Sequence, residues 1–327
     1  TTTLVDGIRA RRSKAEVLGC LKCYEMIAND MDEFSVATVG PVLFPELLTL
    51  ARVAEHADVR RRATSAFAAT VSTLENLSGS DQRAVRDSLI PYLGNWLETV
   101  AMALERVPNP KSFEQCAASL EALKSLVLAV TFFAKPAGDA LMPALSRGAA
   151  LFHGIAPVYA QYAEENDHAT DGNDSDGDEV SFDAVATELL ELIITISEQP
   201  KLHKILAPSL TDTLYVTIGY MCMSSAQEEQ WIDDPNQFVA DEDDDFSTLR
   251  ASCGLMLDSL CLQFGPKAVT ALAEVANRCM SESIAARNAG DEKWWRIREA
   301  TLLAVGTMSD AITTSAERAQ QKGLPVP

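Results

Sequence analysis

The chain has 327 residues, and its 47 acidic and 27 basic residues give a formal net charge of -20. Apolar residues make up 47% of the chain, a fraction too high for an intrinsically disordered protein. The acidic surplus repels phosphate backbones, so we expect no direct nucleic-acid binding. The longest apolar runs have about ten residues, whereas a bilayer span needs about 20, so we also expect no membrane insertion.

Apolar side chains recur at spacings of three and four residues along most of the chain, which predicts helices. Short polar residues that can cap a helix precede several of these segments: Asp58, Ser112, Ser181 and Ser247, with Ser13 and Asp291 as weaker candidates. A second helical segment follows each of the first five. Prolines should bend these second segments, at Pro41, Pro45, Pro91, Pro143, Pro157 and Pro208.

The predicted helix starts recur at roughly regular intervals, and the short intervals match the repeat length of about 40 to 47 residues that is typical of HEAT and armadillo proteins. The two longest intervals each contain an acidic insert. We therefore predict an all-α superhelix, a HEAT-repeat array of about six helix pairs over residues 1–327. A compact all-α bundle is the alternative, but it does not explain the regular interval.

Two acidic inserts, residues 164–183 and 228–245, carry nearly all of the net charge. Each contains nine acids and no Lys or Arg, and the remainder of the chain has 29 acids against 27 bases. The first insert is rich in Gly, Asn, Asp and Ser, which predicts a mobile loop. The second also contains apolar residues that predict anchors on the scaffold: Trp231, Pro235 and Phe238.

The acids of both inserts are the candidate binding site for a basic partner, because clustered negative charge attracts cationic ligands. The candidate residues are Asp171, Asp174, Asp176, Asp178, Glu179, Asp233, Asp234, Asp241, Glu242, Asp243, Asp244 and Asp245. A role in solubility alone remains an alternative reading. A calcium-binding loop around Gly177 does not fit, because the twelfth loop position would be Asp183 instead of Glu.

Motifs of known enzymes are missing from the sequence, so we expect neither an enzyme nor a cofactor. Cys20 and Cys23 form a C-x-x-C pair within a predicted helix, but there is no second pair to complete a zinc site. Basic clusters at residues 9–14 and 60–62 are expected to bridge neighbouring repeats through carboxylates and carbonyl groups, with a nuclear signal as the alternative.

Three segments resemble the importin-β-type karyopherins, in the same order along the chain. Residues 231–245 resemble the W-x-x-D-P-x-x-F segment of these proteins and the acidic run after it. Residues 290–300 resemble a helix in which paired tryptophans, here Trp294 and Trp295, precede a basic residue and a Glu-Ala pair. Residues 174–179, followed by Phe182, resemble an earlier acidic loop.

The resemblance implies a monomeric nuclear transport receptor that shuttles between cytoplasm and nucleus, of which this chain is a middle fragment. Its implied partners are basic protein cargo such as a histone dimer or ribosomal proteins, the GTPase Ran, and nucleoporins. A non-transport HEAT scaffold, or an acidic protein similar to a histone chaperone, is the alternative function. A metal-dependent enzyme would instead need a metal ion bound by residues 171–183.

Overall fold

A computed structural model describes residues 2–10, 13–28, 30–165, 172–173, 179–234, 236 and 248–321, and these residues are predominantly helical. The first eight helices are α1 Thr2–Ala10, α2 Lys14–Ala28, α3 Glu33–Val53, α4 Ala57–Ser72, α5 Gly79–Leu89, α6 Leu93–Ala103, α7 Phe113–Phe133 and α8 Met142–Tyr162. Two short strands follow, β1 Gly172–Asn173 and β2 Glu179–Val180. The remaining helices are α9 Phe182–Ser197, α10 His203–Leu206, α11 Leu210–Tyr220, α12 Ser225–Asp233, α13 Leu249–Phe264, α14 Pro266–Asn288, α15 Trp294–Thr307 and α16 Ser309–Gln321.

Contacts divide the chain into two compact units. The first comprises Thr1–Leu151 and Thr170–Glu188, and the second comprises Phe152–Ala169 and Leu189–Pro327. In the first unit α2, α4 and α7 pack side by side as one layer, and α1, α3, α5 and α6 form a second layer against them. Each helix has one apolar face, and the stacking of neighbouring pairs buries these faces in a continuous core.

Aromatic side chains fill the core of the first unit. Phe44 of α3 and Phe67 of α4 are fully buried with their ring centroids 5.3 Å apart in an edge-to-face arrangement. The ring of Phe67 also lies 5.0 Å from that of the fully buried Trp96 in α6. Burial of each large apolar side chain contributes about 2 to 3 kcal/mol, so this cluster stabilises the packing of the two layers.

The second unit repeats the same arrangement with α11 and α14 in one layer and α13 and α15 in the other. Met256, Leu257 and Leu260 of α13 are fully buried, as are Ala300 and Ala304 of α15. The small residues of α15 allow it to approach its neighbours closely. The order of pairs along the chain is therefore that of a helical-repeat protein.

Helices begin near Asp58, Ser112, Ser181 and Ser247, as the sequence predicted, but two of these residues are not the caps. Ser112 and Ser181 accept hydrogen bonds from Gln115 N and Ala184 N, as expected of N-caps. Asp58 lies inside the first turn of α4, after His56 at the N-cap, and its carboxylate binds Lys14. The cap of α13 is Thr248, whose hydroxyl accepts from Ala251 N, and Ser247 lies outside the described residues.

The prolines of the second helices occupy two kinds of position, and Pro143 is the second residue of α8. Pro41 and Pro45 lie inside the continuous helix α3, and Pro157 lies inside α8. Pro91 and Pro208 occupy short 3-10 turns that separate successive helices. The packing of a long apolar face evidently outweighs the loss of a backbone hydrogen bond at an interior proline.

Two helices, α3 and α7, are long and apolar enough to cross a membrane by composition alone. This is weak evidence for a membrane span, because the core helices of water-soluble proteins meet the same criterion. Both helices supply buried residues to the layered core of the first unit, which accounts for their apolar composition.

Candidate functional site

The two acidic inserts begin at points that lie close together in the second unit. Glu164 follows the end of α8, Glu228 lies in α12, and both carboxylates bind the guanidinium group of Arg296 in α15. Arg296 Nη1 donates to Glu164 Oε1 at 2.6 Å, and Nη2 donates to Glu228 Oε2. The Arg296 side chain is only 6% exposed, so its charge depends on these carboxylates for compensation.

Lys293 and Ser225 complete this group of side chains. Lys293 Nζ donates to Glu164 Oε2 and lies 3.4 Å from Ser225 Oγ. Ser225 Oγ in turn donates to Glu164 Oε2 at 2.9 Å and lies 3.3 Å from Arg296 Nη2. We call these five residues, Glu164, Ser225, Glu228, Lys293 and Arg296, the Arg296 cluster.

Electrostatics within the Arg296 cluster favour the ionised form of Glu164. Partial burial by itself would raise the pKa of this carboxyl, but hydrogen bonds from Lys293 and Ser225 outweigh the effect. The charges of Arg296 and Lys293 act in the same direction, so the pKa of Glu164 lies below its usual value. The cluster therefore persists at neutral pH and weakens in acid.

A second ion pair connects the far end of the second insert to α15. Arg250, the second residue of α13, donates from Nη2 to Glu299 Oε1 at 2.6 Å and from Nη1 to Glu299 Oε2 at 3.2 Å. The Arg250 guanidinium also lies 6.0 Å from the centroid of the Trp231 ring in α12. Helix α15 thus binds residues on both sides of the second insert.

Most of the predicted site residues lie outside the described residues, so the structure does not test them as a binding site. These residues are Asp171, Asp174, Asp176, Asp178, Pro235, Phe238, Asp241, Glu242, Asp243, Asp244 and Asp245. Asp233 and Asp234 are exposed at the end of α12, and Asp234 Oδ1 accepts from Asn236 N at 3.0 Å. Glu179 is described through its backbone, which pairs with Asn173.

Helices include one described end of each insert. Residues 228–233 belong to α12, because Ser224 and Gln227 form a capping box that starts this helix before the acids. Trp231 is accordingly a half-buried helical residue, where a loop anchor was predicted. In the first insert, β1 and β2 form a short antiparallel ladder that was not predicted, and Asp183 already lies in α9.

Three residues of the basic clusters, Arg9, Lys14 and Arg62, form ion pairs between separate helices, as the sequence predicted. Arg9 binds Glu46 at 2.9 Å, and Arg62 Nη1 binds Glu25 Oε2 at 2.7 Å. Arg60 Nη1 instead donates to the carbonyl oxygen of Ala54 at 2.7 Å. Arg11 and Arg12 lie outside the described residues.

Sequence reasoning did not identify the Arg296 cluster or the Arg250–Glu299 pair. Arg296 and Glu299 lie within the segment 290–300, where they were noted only as the basic residue and the Glu of a family resemblance, with no partner predicted for either. One feature of the sequence could have indicated these contacts. Arg296 and Glu299 lie one helical turn apart on a helix whose other buried residues are uncharged, so both side chains need partners there. Their partners are distant in sequence, so only the fold could identify them.

Glu121 of α7 is a second ionisable residue that the sequence analysis did not single out. It lines a groove of about 290 Å³ in the first unit, together with Arg52, Arg60 and Arg61. Burial raises its pKa to about 7, although the positive charges of Lys124 and the nearby arginines oppose the shift. Within the described part of the chain, no group of three or more His, Cys, Asp or Glu is placed to hold a metal ion.

The layered helix pairs define a class of protein, the HEAT-repeat proteins, and comparison with solved structures identifies which of them the fold is similar to. A structure of Kap95p concerned with its binding to RanGDP aligns with 98% of this chain and 32% of that chain, with a TM-score of 0.62 and 15% identity. A Kap121p mutant aligns with 95% of this chain and 25% of that chain, with a TM-score of 0.50 and 17% identity. The predicted all-α, HEAT-repeat fold class is thereby confirmed.

Comparison with curated proteins gives a particular relative. Importin-9 of Drosophila melanogaster is 26% identical to the chain over 312 residues, which are 90% of this chain and 29% of the relative. No protein-family model matches the chain. The match to importin-9 confirms the resemblance to importin-β-type karyopherins, and the chain spans less than a third of that relative. These matches are to karyopherins and not to enzymes, in agreement with the sequence analysis.

Proposed function

We propose that the chain is part of a nuclear transport receptor, in which the two acidic inserts bind basic protein cargo. The observation that carries the proposal is the similarity to importin-9 along 312 residues. The fold supports it, because the helix pairs match those of Kap95p along nearly the whole chain. Ran and nucleoporins as further partners, and shuttling between cytoplasm and nucleus, belong to the same proposal.

The negative charge of the two inserts favours basic proteins as cargo. The inserts contain eighteen acids and no Lys or Arg, and two of these acids, Glu164 and Glu228, bind Arg296. Because like charges at short range repel one another, their concentration is unfavourable unless a cationic partner compensates them. Core histone dimers and ribosomal proteins have the required density of Lys and Arg, and we propose them as cargo.

The Arg296 cluster supports the proposal that both inserts act on the same cargo molecule. The inserts are separated by 44 residues in sequence, yet Glu164 and Glu228 bind the same guanidinium group. Two carboxylates bound to one guanidinium group lie within a Debye length of about 8 Å of each other, so the first acids of the two inserts contribute to the same local potential. Their contributions to binding should therefore reinforce each other.

A charge-neutralisation experiment tests the cargo proposal. The first variant replaces Asp241, Asp243, Asp244 and Asp245 by Asn and Glu242 by Gln. The matched control makes the same change of charge at five exposed acids outside the inserts: Glu75, Glu114, Asp139, Glu198 and Glu274. Binding of a labelled histone dimer is measured by fluorescence anisotropy at several salt concentrations.

We expect the insert variant to bind about tenfold more weakly at 0.1 M salt and to show a smaller dependence of affinity on salt. The control should lose less than half of that effect, because its charges are dispersed. Equal losses of affinity in the two variants would contradict the proposal, because they would show that only net charge matters and not the position of the acids. An unchanged affinity in the insert variant would refute the role of residues 241–245.

The alternative function is a non-transport protein that shields basic partners from nucleic acid, and the charge of the inserts alone would suit it. An import assay in permeabilised cells separates the two functions. The receptor that contains this chain should accumulate a fluorescent histone dimer in nuclei only when Ran and GTP are supplied. Binding of the dimer without Ran-dependent accumulation would favour the alternative.

A further inference from the structure

The hydroxyl group of Ser225 lies beside two cationic side chains at the start of a helix. Ser225 is the first residue of α12, directly after the N-cap Ser224. Its Oγ lies 3.3 Å from Arg296 Nη2 and 3.4 Å from Lys293 Nζ, so two cationic groups converge on it. The N-terminus of a helix also favours negative charge, because its first amide groups and the helix dipole point outwards.

Arg296 provides an independent observation, because one of its donors is unused in the cluster. Its side chain is 6% exposed, and its Nε has no hydrogen-bond acceptor among the described residues. Removal of a guanidinium group from water is costly, so a buried arginine with an unused donor is poised to bind a further acceptor. Phosphate oxygens suit this role, because arginine binds them strongly and at more than one point.

The surrounding sequence and local structure favour modification of Ser225 over Ser224. Glu228 and Glu229 lie three and four residues after Ser225, so a kinase with a basic substrate groove would find acids at both positions. Helix α12 has no buried residue, and Ser225 is half-buried. Local opening of such a helix is inexpensive, and this opening would give a kinase access to the hydroxyl group.

We propose that Ser225 is a phosphorylation site and that Lys293 and Arg296 bind the resulting phosphate. In the reaction, Ser225 Oγ forms a bond with the γ-phosphorus of ATP, the bond to the β,γ-bridging oxygen breaks, and ADP leaves. The hydroxyl proton passes to the catalytic base of the kinase. The proposal does not depend on cargo binding or on nuclear transport.

Phosphorylation would change the partners of Arg296 and Lys293. The Ser225 hydroxyl now donates to Glu164 Oε2 at 2.9 Å, and a phosphoserine has no proton for this bond at neutral pH. The phosphate adds about 1.5 to 2 negative charges and repels Glu164, so it should replace this carboxylate beside Lys293 and Arg296. Glu164, and with it the start of the first insert, would be released from α15.

The first test is enzymatic and needs no cargo. The 327-residue chain is incubated with ATP and casein kinase 2, an acid-directed kinase, and modified residues are identified by mass spectrometry. We expect phosphate on Ser225 in the unmodified sequence and in the Ser224→Ala variant, and its loss in Ser225→Ala. Absence of phosphate from Ser225 while other serines are modified would overturn the proposal.

The second test asks whether the two basic residues bind the phosphate. Phosphorus NMR measures the pKa of phosphoserine 225, assigned by comparison with Ser225→Ala, and a peptide of residues 221–231 gives the reference value of about 6. We expect the pKa in the folded chain to be lower by about one unit, because nearby cations favour the dianion. Lys293→Gln, a change at a half-exposed side chain, should reverse much of this shift. A pKa equal to that of the peptide, or one that Lys293→Gln leaves unchanged, would overturn the proposal.

Discussion

Arginine has different roles in the two units, as a comparison of Arg62 with Arg296 shows. Arg62 of α4 binds Glu25 of α2, and the two side chains are 7% and 13% exposed. Arg296 is 6% exposed, but its partners Glu164 and Glu228 are 40% and 31% exposed. In the first case both charges are buried together, whereas in the second a buried cation meets carboxylates that remain in contact with water.

The difference determines which ion pair can change partners. Separation of Arg62 from Glu25 would leave two buried charges, so this pair is a fixed part of the packing between α2 and α4. The carboxylates of the Arg296 cluster can be rehydrated when they leave, so exchange of Glu164 for another anion is much less costly. The same residue type therefore fixes two helices in one unit and holds an exchangeable anion in the other.

The largest expected effect is that of Arg62→Met, which leaves the carboxylate of Glu25 without its buried cation. We expect the free energy of unfolding to fall by about 3 kcal/mol, measured by urea denaturation. A double variant, Arg62→Met with Glu25→Met, should recover most of the loss because no charge then remains buried. A single variant that costs less than 1 kcal/mol would contradict the fixed role of this pair.

A smaller effect is expected for Arg296→Gln, about 2 kcal/mol, because Glu164 and Glu228 regain contact with water. Hydrogen exchange should become faster in α12 and near Ala163, whose carbonyl oxygen accepts from Ser225 N. The control is Arg278→Gln in α14, which removes an exposed pair with Glu282 and a stack on the Tyr215 ring and should cost less than about 1 kcal/mol. Equal effects in both variants would show that the Arg296 cluster behaves as an ordinary surface pair.

The smallest effect, and one of opposite sign, is expected for Glu121→Gln. Because the pKa of Glu121 is raised from 4.5 to about 7, the folded chain retains a proton that the unfolded chain releases between these values. The contribution of Glu121 to the free energy of unfolding therefore falls as the pH rises from about 4.5 to 7. Glu121→Gln should stabilise the chain by about 1 to 2 kcal/mol at pH 8 and have little effect at pH 4.

The control for this pH dependence is Glu114→Gln, which changes an exposed acid on the same helix α7. It should leave stability almost unchanged at both pH values. Urea denaturation curves at pH 4 and pH 8 supply the comparison. A stabilisation by Glu121→Gln that is equal at the two pH values would mean that burial does not perturb this carboxyl.

Local patterns predicted the helix pairs well because each helix has its own periodic apolar face. The start of α7 at Phe113 follows from Ser112 and from the spacing of Cys116, Leu120 and Leu123, all within a few turns. Local propensity alone would not have predicted the continuity of α3 through Pro41 and Pro45, where tertiary packing outweighs the loss of backbone hydrogen bonds.

The contacts of the candidate site could not be predicted in the same way. Arg296 meets Glu164 and Glu228 across 132 and 68 positions of sequence, and this meeting depends on how successive helix pairs stack. The sequence located the charge in the inserts but contained no local indication that their first acids are bound by the chain's own arginine. The role of the remaining acids stays a prediction.

The two contacts that α15 makes beside the second insert set a limit on distance. Glu228 and Arg250 are both bound to this helix, through Arg296 and Glu299, and 21 residues separate them. A polypeptide extends by at most about 3.5 Å per residue, so a segment fixed at both ends can depart from them by no more than about half its contour length, roughly 35 Å. This limit follows from covalent geometry alone, and it sets an upper bound on the size of a basic surface that a stretch of this length can cover at one time.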